Sequence, residues 1–98
     1  MKVNFDKRID KFSKSLSKSQ KAKVIEVIDL FKEKGFLLSE KHLKKISKQI
    51  WELRPGNVRL LFGIANNEAI VVNAFTKKTN KTPLKEIKLS KQRLGEYL

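Results

Sequence analysis

Arg54, Arg59, Lys77, Lys78 and Lys81 fall within residues 50–83, the stretch IWELRPGNVRLLFGIANNEAIVVNAFTKKTNKTP. Side chains of these types can bind and process a phosphodiester. A guanidinium is permanently charged and forks onto two phosphate oxygens. A lysine crowded by other cations gives up its proton more readily and can serve as acid or base. Cleavage of RNA without a metal needs such a set. The 2′-hydroxyl must lose a proton, the pentacovalent phosphate must be stabilised, and the 5′-oxygen must leave protonated. Arg54 and Arg59 suit the charge stabilisation, and Lys77 and Lys78 the proton transfers. Strand alternation points only one of these two lysines into the site, and the sequence does not say which. Lys44, Lys45 and Lys81 are expected on backbone phosphates. His42, beside Lys41, Lys44 and Lys45, reads either as a surface residue or as an RNA contact.

Composition narrows the chemistry further. The 98 residues carry 23 Lys plus Arg against 10 Asp plus Glu, a formal net charge of +13, which calls for an anionic partner. There is no cysteine, which excludes disulfides, thiolate catalysis and cysteine-ligated zinc. His42 is the only histidine, so a two-histidine ribonuclease and a histidine-rich metal site are excluded as well. No cofactor and no metal are expected. No apolar run reaches the roughly 18 residues of a membrane span, and MKVNFDKRID lacks the apolar core of a signal peptide. The expectation is a single cytoplasmic domain over residues 1–98, with no membrane contact.

The elements that must position these cations follow from spacing. Phe5, Ile9, Phe12 and Leu16 form one helical stripe, with Asp6 as a candidate cap, although residues 2–5 could instead be a short edge strand. Ser17 and Gln20 match a capping box. The helix that follows has Ala22, Ile25, Ile28 and Phe31 as its stripe, widened by Val24, Val27 and Leu30, and Gly35 at its end. These two helices are expected to form an antiparallel hairpin, and their lysines read as solvated faces. Ser39 is expected to cap a brief helix through Ile46, with Leu43 and Ile46 inward. Three strands follow, at 50–54, 58–65 and 69–76, with turns at Pro55-Gly56-Asn57 and Asn66-Asn67. The connections are too short for crossovers, so an antiparallel meander results. Thr82-Pro83 reads as an N-cap followed by proline at the first helical position. The last helix, about 83–97, has a thin stripe of Leu84, Ile87, Leu94 and Leu98.

Register ties the core to the chemistry. Trp51 opposite Phe62 and Leu53 opposite Leu60 pairs apolar with apolar, and sets Arg54 against Arg59 on the other face. A slip by one residue would bury an unpaired guanidinium. Facing like charges destabilise a sheet unless an anion sits between them. Either Glu52 or the C-terminus neutralises one arginine, or the anion is a ligand.

These residues resemble a known family. Ile50-Trp51-Glu52-Leu53-Arg54, then Val58-Arg59 heading a strand, then Ala74-Phe75-Thr76-Lys77-Lys78-Thr79-Asn80-Lys81-Thr82-Pro83, resemble the HigB-like, phage-derived branch (Gp49-like) of the RelE/ParE toxin superfamily. Lys44-Lys45-Ile46 resembles that branch's lysine-rich approach to the tryptophan. The resemblance implies an α+β, RelE-like fold: an N-terminal helical hairpin on a small curved antiparallel β-sheet, a C-terminal helix, helices on one face and a basic cleft on the other. It implies the toxin of a type II toxin–antitoxin system, an endoribonuclease (mRNA interferase) that cuts translated mRNA on the ribosome and leaves a 2′,3′-cyclic phosphate and a 5′-hydroxyl. The implied partners are a cognate helix-turn-helix antitoxin, the ribosome and mRNA, and operator DNA through the toxin–antitoxin complex. Related toxins often place a histidine or tyrosine at the active centre, whereas Tyr97 lies at the extreme C-terminus here. Two other readings share the composition: a ParE-like toxin that inhibits DNA gyrase without cutting RNA, and a non-toxic basic nucleic-acid-binding module.

Overall fold

The computed structural model describes residues 1–98. The elements are β1 (Val3–Phe5), α1 (Ile9–Ser15), α2 (Lys18–Lys34), β2 (Leu43–Ser47), β3 (Ile50–Leu53), β4 (Val58–Ala65), β5 (Glu68–Thr76) and α3 (Leu84–Gly95), with a 3₁₀ turn at Gly35–Leu37. The fold is α+β, and one five-stranded sheet of order β1-β5-β4-β3-β2 organises it. Strands β2 to β5 form the antiparallel meander, and β1 joins β5 in parallel. Residues 3–5 are therefore the edge strand that the sequence left open, and the sheet is mixed rather than purely antiparallel.

Register follows the apolar pairing. Trp51 faces Phe62, Glu52 faces Leu61 and Leu53 faces Leu60. The β4–β5 turn uses Asn66 and Asn67, both at positive φ (54° and 63°), a backbone that asparagine tolerates and that suits a tight hairpin. Alternation then separates two cores. On one face Leu53, Val58, Leu60, Phe62 and Val71 meet Ile9 of α1 and Val27, Ile28 and Phe31 of α2. An aromatic group completes this face, with Phe31–Phe62 centroids at 5.0 Å and Phe36–Trp51 at 4.7 Å. On the other face Ile50, Leu61, Ala65, Ile70 and Val72 meet Leu94 of α3. The helices thus cover both faces, contrary to the one-sided arrangement that the resemblance implied, and part of the second face stays open where α3 stops short.

The Ser17–Gln20 capping box forms in both directions and Gly35 ends α2 at φ 57°. The stripe of α2 is rotated from expectation: Val24, Val27, Ile28 and Phe31 point inward, while Ile25 is largely exposed. The expected helix from Ser39 to Ile46 is instead a turn followed by β2. Its apparent helical spacing has a different origin. The β2–β3 ladder shifts between Lys45 and Ser47, which inserts Ile46 as an extra residue. Leu43 joins the α1/α2 core and Ile46 the α3 core, so the two apolar residues serve opposite faces. As a strand, β2 also covers the backbone edge of β3.

A second bulge seats α3. Leu61 pairs with Asn73 and Phe62 with Val71, leaving Val72 as the extra residue in β5. Arg93 Nη1 donates to the Val72 carbonyl (2.8 Å), and Asn73 Nδ2 donates to Glu86 Oε1 (3.1 Å). Leu94 lies over Gly63, where an added Cβ would meet Leu94 Cδ1 at 2.8 Å and the Gln49 carbonyl at 2.9 Å. Gly63→Ala is expected to lift α3 and cost about 1–3 kcal/mol, read as a lower melting temperature. An unchanged Tm would contradict this seating.

The chain ends are tied together on the α1 side. The N-cap position of α1 is Arg8 rather than Asp6, but Asp6 Oδ1 accepts from the Arg8 backbone N–H (2.8 Å) in the turn that leads into the helix. The buried Asp6 carboxylate also accepts from Arg8 Nε and Nη2 (both 2.8 Å) and from the Tyr97 hydroxyl (2.7 Å), while Arg8 also reaches Glu96 (3.0 Å). The hydrogen bonds from Arg8, followed by those from Tyr97, hold the Asp6 carboxyl well below the usual carboxylate range against the opposing effect of burial. Its folded pKa being depressed, its contribution to stability is complete above about pH 4 and fades as pH falls into the strongly acid range. Asp6→Asn should cost about 2 kcal/mol at neutral pH and flatten the acid limb of a stability–pH curve. An acid limb identical to the parent's would rule out this role.

Candidate functional site

Glu52 stands at the centre of the uncovered part of the second face. Alternation in β3 turns it away from the Trp51/Leu53 core, and it is only 2% exposed. Its Oε1 lies 3.4 Å from Arg54 Nε and 3.8 Å from Arg59 Nε, and its Oε2 accepts from the Thr82 hydroxyl at 2.7 Å. The sequence allowed Glu52 to neutralise one arginine; it meets both. Two guanidiniums and one carboxylate leave the group cationic.

Arg59 is 6% exposed. Its Nη1 donates to the carbonyls of Gly56 (2.8 Å) and Val58 (2.9 Å), which fixes the guanidinium against the β3–β4 turn. Its Nη2 has no hydrogen-bond partner yet keeps contact with solvent, so it is free to take an incoming oxygen. Burial, and next the charge of Arg54, push the Arg59 guanidinium down from its ordinary value, with Glu52 opposing. The group stays charged, and an added anion would relieve the strain. Arg54 follows the last β3–β4 pair. Its backbone N–H donates to the His42 carbonyl (2.9 Å) and its Nη1 reaches the Glu40 carbonyl (3.4 Å).

Three clefts meet at this cluster. The first, about 510 Å³, runs between Glu52, Arg59 and Phe75 and the 76–83 loop. Lys77, Lys78 and Lys81 all line it, and none of their ammonium groups has an acidic partner within the chain. The Lys77 N–H donates to the Asn57 carbonyl (2.8 Å), extending the β4–β5 ladder one step. That step gives Lys77 the same alternation as Phe75, the cross-strand partner of Arg59. The second cleft, about 350 Å³, is lined by Lys44, Lys45, Glu52, Arg54 and Lys81 over Ile46, Leu84 and Ile87. Lys44 pairs with Glu52 across the strands and shares its face, whereas the Lys45 ammonium sits 5.5 Å above the Trp51 ring on the opposite face. The third cleft, about 490 Å³, contains Arg54, Arg59, Lys41 and His42 together with Lys23 of α2.

All eight residues singled out in the sequence therefore line one or another of three adjoining clefts. The binding partner of Thr82 was missed. Its hydroxyl does not cap α3, whose N-cap is Pro83, but goes to Glu52 and ties the basic loop to the arginines. A threonine just before proline reads as a cap in sequence, and only the fold brings Glu52 to it. Tyr97, engaged with Asp6, lines none of the three clefts.

The profile of the family "phage derived protein Gp49-like" matches residues 11–95. No curated protein matches. Solved structures do. The archaeal RelE–RelB complex from Pyrococcus horikoshii OT3 contains a chain that superposes with a TM-score of 0.65 at 18% identity, covering 79% of this chain and 94% of that one. The RelB–RelE antitoxin–toxin complex from Methanococcus jannaschii gives 0.64 at 19% identity over 78% and 92%. The YoeB–YefM complex from Staphylococcus aureus gives 0.59 at 15% identity over 79% and 97%. At these identities the likeness establishes the fold, which is that of RelE.

Proposed function

Since the chain belongs to the phage-derived Gp49-like family and has the RelE fold, we propose that it is the toxin of a type II toxin–antitoxin pair and acts as a ribosome-dependent mRNA endonuclease. The observation that carries this reading is the Glu52–Arg54–Arg59 cluster, open to a cleft lined by unpaired lysines. The scissile phosphate takes the place offered by Arg59 Nη2 and Arg54. Charge that builds on its oxygens in the pentacovalent state meets guanidiniums already held in position, so little reorganisation is needed at the moment of reaction. Glu52 holds the two arginines together and Thr82 holds the loop to Glu52. Lys77, in alternation with Phe75, exchanges the proton at the reacting oxygens, while Lys44, Lys78 and Lys81 bind neighbouring phosphates. The ribosome aligns the substrate, supplying orientation that a proton-transfer lysine alone lacks. The partner that silences the protein is a cognate antitoxin whose acidic or amphipathic surface complements the +13 charge.

Purified protein added to ribosomes stalled on a defined mRNA tests this. Fragments ending in a 2′,3′-cyclic phosphate and beginning with a 5′-hydroxyl are expected. Lys77→Ala should slow cleavage by about 10²-fold or more, in the range of a lost acid or base, and Lys78→Ala by much less. Ribosome-bound mRNA that stays intact in the presence of wild-type protein would refute the nuclease reading.

A further inference from the structure

The third cleft is not needed by the chemistry just described, yet it is built around the same arginines. Lys23, Glu26 and Val27 of α2 form one wall, Lys41 and His42 another, and Arg54, Gly56 and Arg59 lie between them. Four cations face a single carboxylate there. Its volume of about 490 Å³ falls within the range of pockets that hold small ligands. The wall from α2 is fixed by tertiary contacts. Gln20 Nε2 donates to Asn57 Oδ1 (3.3 Å), which pins the start of α2 to the β3–β4 turn. A Cβ added at Gly56 would lie 3.9 Å from Lys23 Cγ, so the lysine stem runs along that turn. The Gly56 carbonyl in turn holds Arg59. Lys23 has only a 3.8 Å, exposed pairing with Glu26, too weak to occupy its charge. Lys41 makes no ion pair.

We infer that this cleft seats the nucleotide flanking the scissile phosphate, with Lys23 and Lys41 gripping its phosphate and His42 beside its sugar or base. The inference rests on the proposed nuclease function and adds a direction to it. A strand held at Arg54 and Arg59 must continue on both sides. The first two clefts take one side through Lys44, Lys77 and Lys81, and the third takes the other. An RNA strand is favoured over an acidic protein segment because the third cleft presents cations and Val27 as its only apolar residue, while the exposed apolar residue Leu84 lies in the second.

The test uses 2′-O-methyl RNA, which cannot be cleaved, with binding followed by anisotropy across a salt series. A short oligonucleotide is compared with a dinucleotide, which has only the central phosphate. The Lys23→Ala/Lys41→Ala double variant is expected to weaken the oligonucleotide and to lower its salt slope by about 0.7 for each phosphate no longer gripped. Dinucleotide binding should not change. Lys88→Ala/Lys91→Ala on α3, outside all three clefts, should leave both unchanged. An oligonucleotide slope unaltered in the Lys23/Lys41 variant, or lowered equally in the α3 control, overturns the subsite. If Arg59→Ala weakens neither ligand, the proposed active site itself is wrong, and that failure is distinct from the first. Binding of an acidic peptide that displaces no RNA from this cleft leaves the assignment standing, whereas a peptide that binds there while RNA does not overturns it.

Discussion

Arg59→Ala is expected to abolish growth arrest in cells expressing the protein without its partner, and to slow mRNA cleavage by about 10²–10³-fold, the usual effect of removing one preorganised donor to a developing oxyanion. The size follows from where Arg59 sits. It is buried, its Nη1 is engaged by the Gly56 and Val58 carbonyls, and its Nη2 is left for the substrate. Truncation therefore removes a donor that needs no ordering during the reaction. It also leaves two turn carbonyls less satisfied, so loss of fold must be separated from loss of chemistry. Arg54→Ala provides that separation, because Arg54 is partly exposed and makes only one long side-chain hydrogen bond. Its variant should keep the parent's melting temperature within a few degrees while losing activity. Arg59→Lys keeps the charge but has no fork to hold the turn and the phosphate at once, so its activity should fall nearly as far. Full toxicity in both alanine variants would remove the arginines from the site.

Glu52→Gln is expected to cost about 3 kcal/mol of stability, the scale of removing one partner from a buried charge cluster. The glutamine keeps the shape and can still accept from Thr82, but Arg54 and Arg59 are left facing each other without a countercharge. The variant should therefore be stabilised by inorganic phosphate more than the parent is, since phosphate can take the place between the guanidiniums. Thermal unfolding in phosphate and in chloride at equal ionic strength reads this directly. Equal responses of parent and variant would mean that the arginines do not share an anion position.

How much of this was legible in the sequence depended on whether a signal was local. The register of β3 on β4 was, because Trp51, Leu53, Leu60 and Phe62 allow only one pairing that keeps both arginines off the apolar face. The Ser17–Gln20 box was legible for the same reason: both partners lie within one turn. Residues 39–46 were not. The spacing of Leu43 and Ile46 fits a helix, and only a bulge against β3 makes it fit a strand. The one-residue excess at Val72, which gives Arg93 a carbonyl and seats α3, has no sequence mark at all. In the site, the cations were visible from composition and spacing. The parts that order them were not. Glu52 and Thr82 are 30 residues apart, and Asp6 meets Tyr97 across 91. Contacts between distant polar residues depend on where the backbone brings them, which periodicity does not encode.

The most direct test maps the 5′ ends of cellular mRNA shortly after expression of the wild-type protein and of the Arg54→Ala variant. New 5′-hydroxyl ends inside translated frames, present with the wild type and absent with the variant, are the predicted result. Growth arrest without new ends, accompanied by DNA damage, would contradict the nuclease assignment and point to a toxin of the same fold acting on DNA topology instead.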